Sequence, residues 1–77
     1  MEIGAIMKIN STKDLGRTIR RRRKELGYTQ GFLSDYSGLS ASFISNLENG
    51  KETAEIGKVL FLSNLLGMDL EMKVRGE

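Results

Sequence analysis

Apolar positions along the chain fall into three regimes. From Leu15 to Leu66 they recur three and four residues apart, the period of helices with one face turned inward. From Asp69 to Arg75 they alternate with polar residues, the period of a strand. Before Asn10 they follow neither rule, since Ile3, Ile6 and Ile9 are separated by Gly4, Ala5 and Met7. A loose arm or a short edge strand is expected there.

The helical stretch divides at its caps. Ser11-Thr12-Lys13-Asp14 has the form of a capping box, so a first helix should run from Thr12 to Leu26 and stop at Gly27. Its buried stripe is Leu15, Ile19 and Leu26, with Arg22 at the centre of that stripe. Thr29 caps a second helix that ends at Ser37, with Leu33 in the core and Phe32 a second candidate. Gly38 supplies a corner that wants φ > 0. Ser40 then caps a third helix with Ile44, Leu47 and Glu48 inward. Thr53 is expected to cap a fourth, from Ala54 to Leu66, with Ile56, Val59, Leu60, Ser63 and Leu66 on its core stripe. The pattern predicts an all-α bundle of four to five helices.

The outward face of the third helix is unusual. Ala41, Ser42, Ser45, Asn46 and Asn49 are small or amide residues without a formal charge. A face made only for water usually carries Lys and Glu. This one suits close approach to another surface and hydrogen bonding to it.

The alternating tail raises a different question, because a lone strand cannot satisfy its backbone hydrogen bonds. Pairing with the same strand of a second subunit, through Leu70, Met72 and Val74 about a two-fold axis, resolves it. A frayed tail and a short fifth helix are the alternatives. The expected organisation is an arm at 1–10, a helical domain at 11–68 and a dimerisation strand with tail at 69–77.

Composition narrows the chemistry. The chain has 77 residues, enough for one small domain. Such a domain buries only about 60% of its unfolded surface, so a partner chain would help. Cys and His are both absent, which removes thiol nucleophiles, disulfides, the commonest soft metal ligands and the usual general base near pH 7. The closest carboxylate pairs, Glu52 with Glu55 and Asp69 with Glu71, sit beside Lys and Arg. Neither an enzyme nor a cofactor is expected. No apolar run approaches a membrane span, and Met1-Glu2-Ile3-Gly4 lacks a basic signal-peptide opening, so a cytoplasmic protein is expected. Net charge is only +2, but Arg17, Arg20, Arg21, Arg22, Arg23 and Lys24 crowd the first helix.

The run Thr29-Gln30, Leu33-Ser34, Gly38, Ser40, Ile44-Ser45 and Glu48-Asn49-Gly50 resembles the helix-turn-helix of the phage-repressor (Cro/repressor, XRE) family, over roughly Leu15 to Leu70. The resemblance implies a lambda-repressor-like bundle whose third helix enters the DNA major groove. It assigns base reading to Ala41, Ser42, Ser45 and Asn46, with Asn46 suited to adenine and Ala41 to a thymine methyl. It assigns the phosphate backbone to Thr29, Gln30, Ser40, Asn49 and Lys51, with Arg20 and Arg21 as weaker candidates. It further implies a partly buried ion pair between Arg23 and Glu48. The chain departs from the family at Arg22, where an aliphatic residue is usual, and at Ala54, where proline is common.

Together with Lys8-Ile9-Asn10-Ser11 and the alternating tail, the pattern is similar to HipB-like antitoxins. That resemblance implies a homodimer on a palindromic double-stranded DNA operator, with recognition helices about 34 Å apart. It also implies a HipA-like serine/threonine kinase toxin as partner. Alternatives are a stand-alone repressor, a protein-binding adaptor that does not touch DNA, and an RNA-binding module. The last is disfavoured because stacking aromatics are scarce, namely Tyr28, Tyr36 and three Phe, most of them at core-like positions.

Overall fold

A computed structural model describes residues 6–76 of the chain. Four helices appear in order: α1 (Thr12–Glu25), α2 (Gln30–Ser37), α3 (Ala41–Glu48) and α4 (Ile56–Leu65). Ser11, Thr29 and Ser40 cap the first three as expected, each accepting a backbone N–H bond through its hydroxyl. Around Ser11 the reciprocal bond differs slightly from a capping box: the Asp14 carboxylate accepts the N–H of Asn10, at 3.0 Å, one residue before the cap.

The α2–α3 corner depends on two residues. Gly38 has φ +79, a left-handed conformation in which a side chain would be strained. Ser34 donates its hydroxyl to the Leu39 carbonyl at 2.6 Å, locking α2 to the segment that leads into α3. A second close approach lies between α1 and α3. A Cβ on Gly16 would stand 2.4 Å from the Leu47 carbonyl oxygen and 2.6 Å from that of Glu48. The two helices can touch backbone to side only because Gly16 has no side chain.

Ile19, Leu33, Ile44, Leu47, Val59, Leu62 and Leu66 form the core, so every helix contributes and α3 lies across α1 and α2. Ser63 is buried and returns its hydroxyl to the Val59 carbonyl at 2.8 Å, which lets a polar side chain sit in a tightly packed position.

Several expectations need correction. α4 starts at Ile56, not Ala54, and its N-cap is Glu55, whose side chain makes no capping bond; Thr53 is not the cap. The core stripe of α4 is Val59, Leu62, Ser63 and Leu66, while Ile56 and Leu60 stand 65% and 43% exposed. Beginning the helix later leaves Ile56 at the open end, and Leu62 takes the inward place. Phe32 is half exposed rather than core.

Residues 68–74 belong to no helix or strand in the single chain, so neither the strand nor a fifth helix is formed there. Leu70, Met72 and Val74 are all exposed, as are the polar residues between them. Among the described residues this segment has no neighbouring edge to bond. At the other end, residues 6–10 are likewise irregular rather than an edge strand, with Ile9 half-buried; Ile3 lies outside the described residues.

Candidate nucleic-acid interface

The inner side of α3 is fixed by a buried charge cluster. The Arg23 guanidinium reaches Glu48 with two hydrogen bonds, Nε to Oε2 at 2.7 Å and Nη2 to Oε1 at 2.9 Å. Its third nitrogen donates to the Tyr28 carbonyl at 2.8 Å. Gln30 adds a donor to Glu48 Oε1 at 3.0 Å. Hydrogen bonding to Glu48 raises the Arg23 pKa, burial opposes it and Coulombic attraction adds to it. One carboxylate thus ties α1, the start of α2 and α3 together. A buried pair of this kind is tolerable because its planar two-point geometry and extra donors satisfy both ions.

The outer side of α3 has the opposite character. Ala41, Ser42, Asn46 and Asn49 are exposed and Ser45 is half-buried. Among the described residues none of their polar side-chain atoms is engaged in a hydrogen bond, whereas every buried polar side-chain atom is satisfied. A shallow groove of about 340 Å³ runs between this face and the segment leading into α4, lined by Ser42, Asn46, Lys51 and Lys58 among others. Donors and acceptors held on a rigid helix beside a groove with lysines can meet both base edges and phosphate oxygens.

Comparison with known proteins gives this geometry its context. A family model described as helix-turn-helix matches residues 19–72, which includes α2, the Gly38 corner and α3 entire. The chain belongs to the XRE-type helix-turn-helix family. It is 39% identical over 70 residues to the uncharacterized HTH-type transcriptional regulator y4mF of Sinorhizobium fredii, covering 91% of this chain and 92% of that protein. It is 54% identical over 39 residues to the competence pilus inhibition repressor of Acinetobacter baylyi, covering 51% of this chain and 36% of that one. Among solved structures, a HipB variant in an O2 20mer complex superposes with a TM-score of 0.82 at 22% identity, over 92% of this chain and 99% of that one. HipB in a HipA–HipB–O2–O3 complex gives 0.80 at 23% identity, over 91% and 99%. The fold is that of HipB, and the protein is a DNA-binding transcriptional regulator of the helix-turn-helix class. Members of that class are not normally enzymes.

Within this helix-turn-helix frame the predicted phosphate residues separate into groups. Thr29 and Ser40 stand exposed at the helix starts, with their hydroxyls accepting the N–H of Phe32 and Phe43, each at 3.0 Å. Gln30 turns its amide inward to Glu48, so the anion it meets in the free protein is internal. Asn49 and Lys51 are exposed at the end of α3. Arg20 and Arg21 are exposed on α1, but at 100° per residue Arg21 points about 150° away from the side that Gly16 and Arg23 present to α3.

Sequence reasoning missed three features. Arg22, at the centre of the α1 stripe, is half-buried: its Nε donates to the Leu66 carbonyl at 2.8 Å, satisfying the C-terminal end of α4, and another guanidinium nitrogen lies 3.5 Å from the Glu25 carboxylate. Phe32 and Tyr36 are exposed and stack with a half-buried Tyr28 that also packs against the core, with ring centroids 4.8 Å apart for Tyr28–Phe32 and 5.7 Å for Phe32–Tyr36. Phe32 and Tyr36 share one face of α2, and Tyr28 joins them from the segment just before its N-cap. Lys58 was overlooked because nothing in its sequence neighbourhood ties it to α3.

Proposed function

We propose that this regulator is a homodimeric repressor that reads a palindromic double-stranded DNA operator through α3. The observation that carries the reading is the unpartnered, uncharged outer face of α3, backed by the closed Arg23–Glu48–Gln30 cluster. Asn46, Ser42, Ser45 and Ala41 read base edges. Thr29, Gln30, Ser40, Asn49 and Lys51 hold phosphates, with Arg20 a peripheral contributor. Short hydroxyl side chains discriminate weakly, so bridging waters and DNA shape supply part of the specificity.

Dimerisation proceeds through the tail. Leu70, Met72 and Val74 are exposed apolar residues on a segment that pairs with no strand among the described residues, and pairing two copies gives that backbone its hydrogen bonds. The structural likeness to HipB in a complex with HipA supports an antitoxin role, with a HipA-like serine/threonine kinase toxin as the second partner. A stand-alone repressor is the other reading, favoured by the kinship to the competence pilus inhibition repressor.

Selection from a random duplex pool, followed by sedimentation of the complex, tests this. The expected result is a two-fold symmetric site bound by two chains, with affinity falling steeply with salt. Leu70→Asp with Val74→Asp should yield a folded monomer that binds half-sites weakly. Salt-insensitive binding to random duplex would favour a protein adaptor instead.

A further inference from the structure

The groove beside α3 contains a lysine that the sequence did not single out. Lys58 lies in the first turn of α4 and is about half exposed, at 48%. Its ammonium stands 5.7 Å from the centroid of the Phe43 ring, and Phe43 belongs to α3 directly beside Ser42. The same ammonium is 3.8 Å from a Glu55 oxygen, in an exposed pair across one helical turn. Lys58 therefore faces two restraints, one from the recognition helix and one from its own helix.

These restraints differ in kind. An aromatic face attracts a cation without consuming its hydrogen-bond donors, so the ring aims the lysine while leaving it free to bond elsewhere. An exposed carboxylate pair is weak and exchangeable. A phosphate oxygen entering the groove competes directly with Glu55 for the ammonium but does not compete with Phe43. The lack of a side-chain cap on α4 leaves its first N–H groups at that same end, adding positive potential.

We propose that Lys58 is a DNA-phosphate contact positioned by Phe43, and that Glu55 is a counter-ion which the phosphate displaces. This rests on the duplex-binding reading above. Phe43 then has a positioning role beyond packing: it couples the start of α4 to the recognition helix, so the phosphate contact and the base-reading side chains share one register.

The test is duplex binding as a function of salt for the full chain and its variants, with thermal unfolding measured alongside. Lys58→Gln should bind random and selected duplexes alike about fivefold more weakly and lower the salt slope by about 0.9. Lys58→Arg should restore both. Phe43→Leu should keep most of the slope yet lose about two- to threefold in affinity, and Phe43→Tyr should match wild type. Glu55→Gln should bind more tightly at low salt. A purely structural role for Lys58 would alter melting and leave the slope alone. Wild-type affinity and slope in Lys58→Gln overturn the proposal while the duplex reading stands. Failure of the wild-type chain to bind any duplex in a salt-dependent way takes down both.

Discussion

The two faces of α3 occupy the same eight residues and obey opposite rules. Inward, Glu48 accepts three hydrogen bonds, and Ile44 and Leu47 are fully buried. Outward, Ser42 and Asn46 are exposed and hold donors and acceptors that none of the described residues engages. A helix of this length is marginal by itself, so its inner contacts must hold it still. The Arg23–Glu48–Gln30 cluster thus provides rigidity to a surface whose hydrogen bonds are reserved for something else. The two faces also separate two kinds of mutation: inner ones should act on stability and outer ones on recognition.

The largest effect should come from breaking the inner cluster. Arg23→Ala strands a buried carboxylate and should cost about 3–5 kcal/mol, read as a drop in the urea midpoint. Wild-type melting would show that the pair does not hold α3. Gly16→Ala comes next, since its Cβ would strike the backbone carbonyls of Leu47 and Glu48. A cost of about 1–3 kcal/mol is expected, with DNA binding impaired through displacement of α3. On the outer face, Asn46→Ala should leave melting unchanged and relax base preference at one position per half-site, by about 1–3 kcal/mol of discrimination. An unchanged selected-site profile would remove Asn46 from the readers. The smallest effect is expected for Lys51→Ala, which should weaken all duplexes alike and lower the salt slope by about one unit.

How far these faces could be read from sequence follows from the range of the signals. Caps are local, so Ser11, Thr29, Ser40 and the Gly38 corner were legible from neighbouring residues. The family motif carried the Arg23–Glu48 pair, whose partners are 25 residues apart and which no local rule would join. The start of α4 was misplaced because Thr53 is a good capping residue by type, and only tertiary packing sets the helix at Ile56. Arg22 was illegible for a similar reason. Its acceptor is a backbone carbonyl 44 residues away, and carbonyls leave no trace in a side-chain pattern. No local signal marks Gly16, whose lack of a side chain is required by the backbone of α3 packed against it. The alternating tail predicts a strand that pairs across a dimer, and the single chain leaves residues 68–74 irregular, because a period of two gives a strand only where a second edge supplies its hydrogen bonds.

The most direct measurement is the backbone amide spectrum of the isotope-labelled chain, titrated with a duplex selected by the wild-type protein. The account predicts the largest shifts from Ser40 to Lys51 and at the start of α4, with the outer face of α1 around Arg21 nearly still. Shifts confined to Arg17–Lys24 or to the tail, with α3 silent, would contradict it.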